Sequence, residues 1–245
     1  MFLDQVIQPE WHPEWAIQDA QVPFRVICFP FAGGSAAAWS DLHKNMSETA
    51  SVLPYELPGR GTRLKQPCET DRHNLVARIA DDLHPFCKSH QRLVLMGHSM
   101  GATLAYEVGL ALGGEIPLIV SGRAAPNLSI PLTDLSDEAL IQRMRDLGGT
   151  SAEVLGCPEL LDIFLPIMRA DYQLITSQVE LAQPYSGPVL ALSGRDDHTV
   201  PTNKLAAWSR YCSNLQTAAF PGGHFFIQNQ LDAVCNCIKN WLVNI

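Results

Sequence analysis

At 245 residues the chain has the length of one domain with room for an inserted segment, and 47% hydrophobic against 17% charged residues is a globular composition able to bury a large core. A formal net charge of −8, from 17 Lys and Arg against 25 Asp and Glu, excludes an extended nucleic-acid surface. No run approaches the ~18 apolar residues a membrane span needs, and the first residues lack the basic and apolar regions of a signal peptide, so no membrane partner and a cytoplasmic location are expected.

In chain order, short apolar runs fall at 26–29, 52–57, 93–96, 118–120, 189–192 and 215–220, each followed by a turn and then a helical period. Leu75, Ile79, Leu83 and Phe86 form one helical stripe, and Leu231, Val234, Ile238, Trp241 and Leu242 another. This βαβ alternation predicts an α/β fold in a single domain over 1–245, a mostly parallel sheet flanked by helices with its chemistry at the carboxyl ends of the strands. The rhythm breaks between 124 and 185, where no strand is legible. There Ser136-Asp137-Glu138 reads as a capped, acidic helix start followed by Leu140, Met144 and Leu147 up to Gly148-Gly149, and a second helical stretch covers 159–181. About sixty residues are too many for a simple connection, so 124–185 reads as an inserted helical lid over the active end of the sheet. The seven cysteines show no C-x-x-C spacing, and Cys235 and Cys237 point to different faces of one helix, so neither a disulfide framework nor a metal site is expected.

In LVLMGHSMGATLAYE, residues 93–107, a buried strand must become a helix within five residues. Gly97 and Gly101 let the two backbones approach, and Ser99 between them is held out as in a nucleophile elbow, with the Met100 N–H free to bind an oxyanion. A serine hydroxyl needs a base to take its proton. His98 is adjacent but points elsewhere in such a turn and is read as a packing residue; His224, in PGGHFF after the last strand, lies at a strand's carboxyl end. The strand that ends at Gly194 in LALSGRDDHTVP offers Asp196 and Asp197 as the carboxylate that would orient the histidine. Ser99, Asp197, His224 is the α/β-hydrolase order of nucleophile, acid and histidine. A second oxyanion donor is expected from the glycine-bearing loop of VICFPFAGG, at the N–H of Phe31 or Ala32. That loop has no phosphate-binding lysine, which rejects a nucleotide.

With CFPFAGG, LPGRG, GHSMGA, SGR, LSDEALIQRMRDLGGT, LPIMRADY, SGRDD and PGGHFF in this order, the sequence from about Val26 to Trp241 resembles the type II (external) thioesterases that accompany non-ribosomal peptide and polyketide synthases. The resemblance implies an α/β-hydrolase fold with a helical lid. It implies hydrolysis of acyl or aminoacyl groups from the phosphopantetheine arm of acyl or peptidyl carrier proteins, clearing stalled or misprimed arms in antibiotic biosynthesis. It assigns Ser99 as nucleophile, His224 as base, Asp197 as its partner, and the N–H groups of Ala32 and Met100 as oxyanion hole. Phe31, Phe164 and Tyr172 are acyl-facing candidates. No cofactor is implied, since the partner carries the phosphopantetheine, and a monomer is expected. A medium-chain fatty acyl-carrier thioesterase that releases finished chains, a general esterase, and a catalytically dead carrier-binding module are the alternatives; the last would lack a triad member. Because carriers are acidic, a chain of net charge −8 needs local cations to meet one, and Arg60, Arg63, Lys65, Arg143 and Arg145 are the candidates. The first 23 residues lie outside these motifs and receive no role.

Overall fold

The computed structural model describes residues 11–16, 21–126, 135–176 and 184–245. Strands β1 (Phe24–Phe29), β2 (Ala50–Pro54), β3 (Arg92–His98), β4 (Leu118–Ser121), β5 (Val189–Gly194) and β6 (Leu215–Phe220) form one sheet in the order β2-β1-β3-β4-β5-β6, with every pairing parallel. Each run legible in the sequence is a strand. The second is shorter than its 52–57 pattern because Pro54 has no N–H to continue the ladder; the chain beyond it stays buried and Tyr55 N–H still donates to Cys28 O at 2.9 Å.

The strands are apolar on both sides, and alternate residues feed two separate cores. Ile27, Phe29, Leu95, Val120 and Ala191 pack into one; Val26, Cys28, Val94, Met96, Ile119 and Leu192 pack into the other. The helices divide accordingly. In chain order they are α1 (Ser40–Met46), α2 (Arg72–Leu83), α3 (Met100–Ala111), α4 (Asp137–Leu147), α5 (Ala152–Leu155), α6 (Pro158–Thr176), α7 (Thr202–Leu205), α8 (Phe226–Asn229) and α9 (Leu231–Val243). Residues of α2, α3 and α6 cover the first core, and those of α1 and α9 the second. The stripe of α2 ends with Leu83, and Phe86 follows in a 3₁₀ turn, packed against the core from its rim.

Helices α4, α5 and α6 stand between β4 and β5, where the sequence breaks its rhythm. Ser136 caps α4 by accepting from Ala139 N–H at 3.3 Å, and Gly148 closes it. The stretch expected to run to 181 is helical to Thr176, and its remainder lies outside the described residues. The segment left without a role contributes to packing: Trp11 is buried, stacks on Tyr55 with ring centroids 4.9 Å apart, and accepts from Glu56 N–H through its carbonyl at 2.6 Å.

The sheet places the site. β2 lies to one side of β1 while β3 and the rest lie to the other, so the order reverses between β1 and β3, and a crevice opens at their carboxyl ends. Two loops leave from that point: residues 30–35 after β1, and the turn into α3 after β3.

Candidate active site

Ser99 joins β3 directly to α3 with φ 54° and ψ −115°, the one positive φ outside glycine among the described residues. Its N–H donates to Ser121 O of the neighbouring strand at 2.8 Å, which pins the turn to β4. The glycines on either side are required by distance. A Cβ on Gly97 would lie 2.0 Å from Gly101 O, and one on Gly101 would lie 2.1 Å from Phe29 O. The side chain so displayed is partly exposed and lines a cavity of about 550 Å³ at the carboxyl ends of the strands. As the first residue of α3, Met100 presents an N–H with no intrahelical acceptor.

His224 follows β6 and lines the same cavity. Its Nδ1 meets Asp197 Oδ2 at 2.7 Å, which leaves Nε2 as the ring nitrogen that can face the cavity. Asp197 comes three residues after Gly194, the last residue of β5. Its other oxygen, Oδ1, accepts from Thr199 N–H at 2.8 Å, Thr199 Oγ1 at 2.6 Å and Val200 N–H at 3.2 Å. Burial pushes this carboxyl up, but the bonds from His224 and Thr199 outweigh it and bring the pKa down to about 2. Asp196 is exposed and spends its carboxylate on Gly222 N–H at 3.1 Å, so of the two adjacent acids only Asp197 meets the histidine.

His98 is fully buried. Its Nδ1 lies 3.0 Å from Ser121 Oγ, and its ring sits 5.0 Å from that of His224 and 6.0 Å from that of Phe31. Burial, and then the charge of His224, hold its pKa well below the ordinary histidine range. It packs as a neutral ring behind the site, as its place in the turn suggests.

The loop after β1 forms a tight turn in which Gly34 N–H donates to Phe31 O at 2.8 Å. Gly33 N–H is taken by Asp171 Oδ2 at 2.7 Å and Ala36 N–H by Glu56 Oε1 at 3.0 Å. Pro30 has no N–H. Ala32 N–H is thus left without a partner among the described residues, beside the cavity that its residue lines. Phe31, Phe164 and Tyr172 line that cavity as well.

Sequence reasoning missed two groups here. Arg60, read as a surface cation for docking, is 4% exposed and forks onto Asp171 of α6, with Nη1 to Oδ2 and Nη2 to Oδ1 both at 2.6 Å. The reading is corrected: that guanidinium is paid for inside the protein and cannot reach a carrier. Arg63 is half-buried on Glu56 O and Gln66, and Arg143 is half-buried, donates to Tyr172 Oη at 3.0 Å and lies over its ring. Lys65 and Arg145 remain exposed. The second group is Arg123, just beyond β4. Its guanidinium has no hydrogen-bond or ion-pair partner among the described residues, and burial, followed by the nearby Arg72, pulls its pKa down to about 10.

A thioesterase-domain family profile matches residues 24–242. The chain is 34% identical over 230 residues to the thioesterase PikA5 of Streptomyces venezuelae, covering 89% of this chain and 81% of that one. Against the solved structure of RedJ, a thioesterase from the prodiginine biosynthetic pathway of Streptomyces coelicolor, it gives a TM-score of 0.82 at 33% identity over 90% of this chain and 86% of that one. BorB, a type II thioesterase from the borrelidin biosynthetic cluster, gives 0.82 at 30% identity over 94% and 97%. The parallel sheet and its flanking helices are the α/β-hydrolase fold of these enzymes.

Proposed function

The chain belongs to the thioesterase family and is a serine hydrolase acting on thioester bonds, and from that premise we propose that it removes acyl or aminoacyl groups from the phosphopantetheine arm of carrier proteins, editing stalled or misprimed assembly lines. The observation that carries the reading is that His224, held from behind by the buried Asp197, lines the same cavity as the strained, displayed Ser99.

In this reading Ser99 Oγ attacks the thioester carbonyl while His224 Nε2 takes its proton, and Asp197 stabilises the imidazolium through Nδ1. The tetrahedral oxyanion rests on the N–H groups of Ala32 and Met100. As the C–S bond breaks, His224 returns the proton to the pantetheine sulfur. Water, losing a proton to His224, then attacks the acyl-serine, and the acid and the free Ser99 hydroxyl are released. Helices α4 to α6 form the opposite wall as a lid, with Phe31, Phe164 and Tyr172 toward the acyl group. Arg123, Arg143 and Lys204 line the cavity with no carboxylate among its described residues, which suits an anionic arm in a chain of net charge −8.

The test compares one acyl group offered as carrier-bound thioester and as free oxygen ester. The reading requires the carrier-bound form to be turned over with the higher kcat/KM; preference for the oxygen ester would make the protein a general esterase. A series of acyl lengths then separates roles, since editing predicts a flat profile and chain release one that rises with length.

A further inference from the structure

The buried ion pair Arg60–Asp171 does more than join two elements. Asp171 is fully buried, and its Oδ2 accepts at once from Arg60 Nη1 at 2.6 Å and from Gly33 N–H at 2.7 Å. Arg60 also donates to Gly34 O at 3.3 Å. One carboxylate and one guanidinium therefore grip the turn 31–34 at two successive residues. Phe164, Met168 and Asp171, spaced as neighbours along one face of α6, all bear on Gly33, where an added Cβ would lie 2.5 Å from Met168 Sδ and 2.7 Å from Phe164 Cζ. Gly33 holds φ 76°, the value a type II turn demands at its third residue. With Phe31 O committed to Gly34 N–H, the peptide between Phe31 and Ala32 is fixed in plane, and its own N–H, that of Ala32, points away from the turn.

We propose that Asp171, oriented by Arg60, is a positioning residue for thioester hydrolysis: by holding Gly33 N–H it locks the turn that aims the Ala32 N–H at the reacting carbonyl, and it makes helix α6 and the oxyanion turn one unit. This rests on the reading of Ala32 as an oxyanion donor. A donor out of line acts on the transition state more than on the bound substrate, so the loss belongs in kcat. Removing such a donor outright costs about 10²–10³ in kcat, and loosening it costs less.

Single substitutions would leave a buried charge unpaired, so the decisive variants remove both charges. Arg60→Met with Asp171→Asn keeps an oxygen that can accept from Gly33 N–H; Arg60→Met with Asp171→Leu keeps none. Measured on an acyl N-acetylcysteamine thioester, the Asn variant should hold at least about tenfold higher kcat than the Leu variant, with KM within about twofold and similar thermal midpoints. Inhibition by an alkylboronic acid, whose tetrahedral adduct on Ser99 places an oxygen where the oxyanion forms, should weaken by the same factor. Equal kcat in the two variants, or a difference confined to KM, overturns the proposal. If the Leu variant does not fold, Arg60→Lys decides, because it keeps the charge but loses the fork: lowered kcat at unchanged KM supports positioning, and wild-type kcat refutes it. Ser99→Ala is run alongside. Turnover surviving that change means the triad reading has failed, whereas an inactive Ser99→Ala with equal charge-free variants means that positioning alone has failed.

Discussion

Asp197 and Asp171 are both buried carboxylates, each within 2.7 Å of a nitrogenous partner, yet they are built in opposite ways. Asp197 sits on a loop at the end of β5, takes three hydrogen bonds from its own next residues, and meets a histidine, a ring whose second nitrogen can take and return a proton. Asp171 sits on α6, 111 residues from its partner Arg60, whose charge never changes. The first pair is suited to moving protons and the second to holding shape. Burial alone does not separate the two roles; the partner does.

The strongest way to break this contrast is to remove the chemistry that Asp197 serves. Ser99→Ala is expected to lower kcat by about 10⁶ with the thermal midpoint unchanged, and adding Asp197→Asn should then cost nothing more in turnover, because residues that act as a unit are not additive. A further large loss in the double variant would detach Asp197 from the nucleophile. Next in size, Asp197→Asn alone should reduce kcat by roughly 10⁴, since the amide favours the wrong histidine tautomer, while Asp196→Asn stays within a few fold of wild type. Reversed magnitudes would move the role to Asp196.

A pH series sharpens the electrostatic side. With its folded pKa lowered to about 2 from an ordinary 3.8, Asp197 contributes stability that is full above pH ~4 and lost as pH falls toward 2. The amount is about 2 kcal/mol. The stability gap between wild type and Asp197→Asn, followed by chemical denaturation, should therefore close from pH 6 to pH 2; a gap constant across that range would show that the ionised carboxylate is not what stabilises the fold. The smallest effect is expected on the surface. Reversing Lys65 and Arg145, the cations still exposed, should raise KM for an acidic acyl carrier by a few fold and leave a small free thioester untouched. Equal losses on both substrates would place them in the site itself.

The same contrast explains what could be read in advance. The six strands, the turn at Ser99 and the choice of Asp197 and His224 each leave a local mark: an apolar run, a glycine pair at fixed spacing, a carboxylate just past a strand's last residue. Helix α4 announced itself by Ser136 and its two acids. The Arg60–Asp171 pair leaves no such mark, because nothing near Arg60 in the chain tells that α6 will fold over it, and an arginine in LPGRG looks solvated. Arg123 was hidden for the same reason: its isolation is a property of helices that approach from distant parts of the sequence. Trp11 gave no periodic signal, being a single aromatic that fills the space beside Tyr55.

Ser99 itself carries a last consequence. Its dihedrals, φ 54° and ψ −115°, are the mirror image of a conformation that any residue adopts freely, so glycine alone could rest there without strain. For a side-chain-bearing residue the penalty is about 1–3 kcal/mol. A population of variants screened only for survival at high temperature would thus be drawn toward Gly at position 99, trading away the hydroxyl, so that heat tolerance and turnover pull this one codon in opposite directions.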